Sequence, residues 1–88
     1  MRRVGQARKR DANEPPIVAA LQRIGVKVKR ISEPGFADLV AWHPTKKILK
    51  LLEVKGDKGK LTAAQVEHHD GWPVVIVRSE ADAVALFT

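Results

Sequence analysis

The sequence predicts a small α/β domain with element order α-β-β-β-α-β-α, and three observations predict it. Apolar residues recur at helical spacing near the start, at Ile17, Val18, Leu21 and Ile24. Short apolar runs of strand length follow, the longest being Ile48–Leu52. Glycine and proline punctuate these segments at Gly25, Pro34-Gly35, Gly56, Gly71 and Pro73. The 88 residues, 44% hydrophobic and 30% charged, have globular composition and supply one modest core.

Asn13 is the expected N-cap of the first helix, with Pro15 and Pro16 in the first turn, where a missing amide hydrogen costs nothing. Gly25 ends that helix. Val26–Ile31 alternates Val26, Val28 and Arg30 against Lys27, Lys29 and Ile31, the pattern of an exposed strand. Pro34-Gly35 is a turn, Asp38–Trp42 the second strand, and His43-Pro44-Thr45-Lys46 the hairpin connection to a third strand, Ile48–Lys55. A polar loop, Gly56 to Lys60, leads to a helix capped by Thr62 and running to about His69, closed by Gly71-Trp72-Pro73. Val74–Val77 is a continuous apolar run, expected as a buried strand, and Ser79 caps a last helix over Glu80–Phe87.

The net charge of +6 is unevenly distributed. Arg2, Arg3, Arg8, Lys9 and Arg10 precede any acid, so residues 1–12 are expected to form a flexible basic arm and 13–88 the folded domain. The rest of the chain is nearly balanced, and a basic arm serves equally as a phosphate contact or a solubilising tail. With no cysteine there is no disulfide framework or thiolate metal site, which fits a reducing cytoplasm. No apolar run reaches the length of a membrane span and no signal-peptide pattern is present, so no membrane partner is expected.

The chemistry concentrates at Glu53-Val54-Lys55. Strand alternation sends Glu53 and Lys55 to one side, the side of Leu49 and Leu51. A carboxylate and an ammonium there are costly to desolvate without a partner or a metal. Asp38 lies at another strand terminus. Two converging acids can hold a hard divalent cation, which polarises a phosphoryl oxygen and acidifies a bound water, while a lysine orients that water or neutralises developing charge. Glu14 falls on the apolar face of helix one, where it either reaches a buried site or complements the helix dipole. Gln65 fits a capping box with Thr62 and equally a contact near Lys55. His68 and His69 are adjacent on one helix, so they do not form a paired zinc site. His43 reads as incidental, and Trp72 as a packing anchor.

The ordered set Gly35-Phe36-Ala37-Asp38-Leu39, Leu52-Glu53-Val54-Lys55-Gly56 and Gly59-Lys60-Leu61-Thr62-Ala63-Ala64-Gln65 resembles the VRR-NUC family of the PD-(D/E)xK nuclease superfamily, over nearly all of the chain from Asn13. The resemblance implies a restriction-endonuclease-like core, a mixed central sheet flanked by helices. It implies Asp38 and Glu53 as ligands of Mg²⁺ or Mn²⁺, joined by the Val54 carbonyl, with Lys55 as the catalytic lysine and Glu14 and Gln65 as supporting catalytic residues. Ala37 departs from the proline usual before the aspartate, which removes no ligand. Small stand-alone members resemble Holliday-junction resolvases and act as homodimers. The function implied is structure-selective DNA endonuclease activity on junctions, flaps or other branched DNA, with no small-molecule cofactor, in the cytoplasm of a bacterial or phage-infected cell. Lys27, Lys29, Arg30, Lys46, Lys47, Lys50, Lys58 and Lys60 are the candidate phosphate contacts. Two other readings are a non-catalytic nucleic-acid-binding module that keeps the fold, and a basic-armed partner-binding protein such as an antitoxin.

Overall fold

The computed structural model describes residues 10–88; Arg2, Arg3, Arg8 and Lys9 of the expected arm lie outside the described residues. The elements are α1 (Glu14–Arg23), β1 (Lys27–Arg30), β2 (Leu39–His43), β3 (Ile48–Val54), α2 (Ala63–His69), β4 (Val74–Val77) and α3 (Glu80–Ala85), in the order read from the sequence. They form one four-stranded mixed sheet in the order β1-β2-β3-β4. β1, β2 and β3 run antiparallel in turn, with Leu39 opposite Leu52 and Trp42 opposite Leu49. β4 then pairs parallel to β3, setting Glu53 beside Ile76, because the chain crosses back through α2.

Alternation gives the sheet two unlike faces. Leu39, Ala41, Leu52, Val54 and Val77 point to one side and meet Ile17, Val18 and Leu21 of α1 with Ala83 and Phe87 of the C-terminal segment in a single core. Val40, Trp42, Leu49, Leu51, Val74 and Ile76 share the other side, where Leu49 is 61% exposed and Ile76 37%. α2 lies at one end of this second face and contributes no buried residue. It reaches the sheet through polar side chains, Gln65 above all.

Several local expectations are corrected. Asp38 stands just before β2 and Lys55 just after β3, so both charges flank strand ends rather than lying within strands. His43 is the last residue of β2; it is buried, its ring stacks on Phe87 at 6.4 Å, and its Nδ1 accepts from the Lys46 amide. Asn13 precedes α1 but makes no capping bond, having helical backbone angles. Its amide instead donates to the Lys55 carbonyl and the Arg78 carbonyl, both at 3.1 Å. One side chain thus ties the start of α1 to the ends of β3 and β4.

This distinguishes Asn13 from an ordinary cap, for which aspartate serves as well as asparagine. Asn13→Asp removes both donors and sets a carboxylate against two carbonyls. It should cost about 1–3 kcal/mol in urea unfolding, at least as much as Asn13→Ala. Equal stability of Asn13→Asp and the parent protein would return Asn13 to a capping role.

Candidate active site

The end of β3 carries Glu53, 1% exposed although it projects from the open face of the sheet. An ionised carboxylate so desolvated costs several kcal/mol unless it is paired and hydrogen-bonded. Both conditions are met. Lys55 Nζ lies 3.6 Å from Glu53 Oε2, and Gln65 Nε2 donates to the same oxygen at 3.0 Å. Gln65 Oε1 in turn accepts from Lys55 Nζ at 2.8 Å and from the Thr62 amide at 2.9 Å. The Gln65 amide donates to Thr62 Oγ1, completing a capping box. The two readings of Gln65 are therefore one arrangement: the cap that starts α2 also orients the amide that grips Glu53 and Lys55.

Asp38, 7% exposed, closes the other side of the strand exit. Its main-chain amide donates to Leu52 O at 2.9 Å, and its Oδ2 accepts from the Val54 amide at 2.8 Å. The Lys55 amide turns the other way, to Val77 O on β4. Within a strand the N–H and C=O of one residue point to the same edge, so the Val54 carbonyl faces the Asp38 side. Asp38 and the Val54 main chain thus meet where β2 and β3 part, with Glu53 the residue before Val54 on β3.

Glu14 is fully buried, which settles its placement on the inner face of α1, but it does not touch Glu53 or Lys55. Its two oxygens take Arg10 Nη1 at 3.2 Å and Arg30 Nε at 2.8 Å. Arg10 continues to the Asp38 carboxylate at 3.6 Å and to the Asp38 and Ile31 carbonyls. Arg10, assigned by sequence position to the arm, therefore links Glu14 to Asp38.

His69 is the residue the sequence reading missed. Its Nε2 lies 3.5 Å from Glu53 Oε1 and makes no hydrogen bond among the described residues. Burial lowers its pKa and so favours the neutral ring, against the opposing effects of a backbone hydrogen bond with Phe36 and the charge of Asp38. The available signal was the four-residue step from Gln65 to His69, which puts both on one helix face. His68 sets its ring against Gly35 instead. Trp72 is no packing anchor: it is 59% exposed and meets Phe36 edge to face at 5.3 Å.

The candidate phosphate contacts divide. Lys27 and Lys29, exposed, pair with Trp42 and Val40 on the same sheet face as Glu53. Lys58 and Lys60, exposed, sit in the loop after β3, which Arg78 Nη1 pins through the Gly56 and Gly59 carbonyls at 2.6 and 2.8 Å. Arg30 falls on the opposite face and is engaged by Glu14. Lys46 and Lys47 turn at the far end of β3, a strand's length of about 20 Å from Glu53 at about 3.3 Å per residue. Lys50 sits opposite Ala41 and so belongs to the core-side face.

Among the described residues no group of three or more His, Asp or Glu side chains is arranged to hold a metal ion. The expected set differs in kind, being two carboxylates and one carbonyl, an all-oxygen donor set that suits a hard divalent cation. Comparison of the chain with protein-family models, curated proteins and solved structures finds no match.

Gln65→Glu tests whether this side chain does more than cap, because glutamate is as good as glutamine at that helix position. Here it replaces a donor to Glu53 with a second carboxylate. We expect a loss of about 1–3 kcal/mol at pH 7 that shrinks toward pH 4 as one carboxyl takes up a proton. A neutral effect at pH 7 would reduce Gln65 to a capping residue.

Proposed function

We propose that this chain is a metal-dependent DNA endonuclease of the VRR-NUC type, hydrolysing phosphodiester bonds in branched DNA and acting as a homodimer. The observation that carries the reading is the Glu53–Lys55 pair, buried at a strand exit and held by Gln65, with Asp38 and the Val54 carbonyl on the adjoining side. Asp38, Glu53 and Val54 would hold Mg²⁺ or Mn²⁺, which when bound polarises a phosphoryl oxygen and acidifies water. Lys55, the ammonium beside Glu53, orients a water or offsets charge developing on the phosphate. Gln65 keeps Lys55 from wandering, and Glu14 supports Asp38 through Arg10. Lys27, Lys29, Lys58 and Lys60 offer phosphate contacts around that side of the domain. Such contacts position a backbone without reading bases, which favours recognition by shape. A symmetric pair, presenting one site to each strand, suits the half-exposed apolar face around Leu49 and Ile76.

A second reading has one observation in its favour. Arg10 ion-pairs with both Glu14 and Asp38, so a guanidinium partly neutralises the acids without any metal, as a non-catalytic DNA-binding module would require. Calorimetric titration with Mn²⁺ separates the two: the nuclease binds the ion in a manner lost in Asp38→Asn and Glu53→Gln, and the binding module does not.

Incubated with Mg²⁺ or Mn²⁺ and a panel of junction, flap and plain duplex DNA, the protein should cut, preferring branched substrates. Lys55→Ala should lower the rate by about 100-fold or more with the fold intact. No cutting of any substrate, or equal cutting by Lys55→Ala, would overturn the proposal.

A further inference from the structure

Beside the candidate site lies a cleft of about 390 Å³ lined by Glu33, Phe36, His68 and Trp72. Three of its four walls are aromatic rings from two separate segments, the loop before β2 and the C-terminal end of α2 with the turn beyond. Phe36 meets Trp72 at 5.3 Å and the His69 ring at 6.0 Å, both edge to face. His69 lies 3.5 Å from Glu53, so Phe36 is in ring contact with both the cleft's Trp72 and the histidine beside Glu53. Gly35 lets the walls close in. It has φ +80, which favours glycine, and any side chain there would meet the His68 ring at 2.9 Å.

An indole left 59% exposed contributes little to the core of so small a domain, which makes its placement in a cleft a question about ligands. The lining specifies one. Aromatic rings offer faces to a flat, unsaturated group. Glu33 adds a carboxylate to the lining, which disfavours phosphate. Among the described residues no arginine or lysine lines the cleft. A planar nitrogen heterocycle fits these walls and a phosphate does not.

We infer that this cleft receives an unpaired nucleobase of the DNA substrate, stacked on Trp72, with Phe36, set at 75° to the indole, against its edge. This rests on the nuclease reading and names how that site selects its substrate. A base inside a duplex is stacked on its neighbours and paired, so it cannot enter. A base at a junction, a flap or a single-stranded end can, at the modest cost of leaving a partial stack. The preference for branched DNA then follows from a pocket for a displaced base and needs no reading of sequence.

The test measures binding apart from cutting. A fluorescein-labelled single strand and the duplex of the same sequence are titrated with the full chain in Ca²⁺, and anisotropy is read. Trp72→Ala should weaken single-strand binding by about 5- to 100-fold, the range of one lost base–aromatic stack, while leaving duplex binding unchanged. Trp72→Phe, which keeps a ring, should recover most of the loss. In a Trp42→Phe background, where Trp72 is the remaining tryptophan, its emission should be quenched by single strand and not by duplex. Equal weakening on both DNAs, no weakening, or an unquenched Trp72 overturns the inference, and so does a cleft that proves to hold a protein side chain in a co-crystal. The two failures are distinguishable. Cutting with a Trp72-independent strand preference rejects the cleft and spares the nuclease. A Trp72-dependent preference in a protein that cuts nothing rejects the nuclease and spares the cleft.

Discussion

The burial of one carboxylate, Glu53, constrains the rest of this molecule. A charge at 1% exposure on a strand end demands a cation and a donor within reach, and those demands reach outward through the chain. The cation is Lys55, two residues on, which requires β3 to stay extended through Val54 so that both side chains emerge together. The donor is Gln65, whose position is fixed by the Thr62 cap that starts α2. The loop between them is held by Arg78 gripping its carbonyls. In a helix that buries no residue of its own, this polar contact stands in for hydrophobic docking.

A second polar cluster supports the first from the core side. Glu14, Arg10, Arg30 and Asp38 form a chain of charge from the inner face of α1 to the mouth of β2. Asn13, one residue before α1, ties the same helix to the carbonyl of Lys55 itself. The start of α1 is thus anchored to both sides of the β2–β3 exit. The apolar core of Ile17, Leu21, Leu39, Leu52 and Phe87 makes the fold stable, and these polar ties decide where its charges stand.

Much of this was legible in the sequence because it is carried by short-range periodicity. Alternation along β3 put Glu53 and Lys55 on one side, and the Thr62-to-Gln65 spacing placed a capping box. The boundaries of all seven elements fall within a few residues of their expected positions. What was not legible depends on contacts between distant segments. Asn13 has the identity of a cap, and only the approach of β3 and β4 turns its amide elsewhere. Arg30 reads as a surface cation until Glu14 arrives beneath it, and Arg10 as part of a tail until Asp38 does. His69 shares a face with Gln65, but that the face meets Glu53 is a fact of the tertiary structure. Trp72 reads as an anchor because tryptophan usually is one; its exposure is a fact of the tertiary structure.

The central claim is that the strand exit defined by Asp38, Glu53 and Val54 is a divalent-metal site. The most direct measurement is the anomalous scattering of a crystal soaked in Mn²⁺. The account predicts a single strong peak bonded to the Asp38 and Glu53 carboxylates and the Val54 carbonyl. Crystals that take up no Mn²⁺ there, with Arg10 still paired to Asp38, would contradict it.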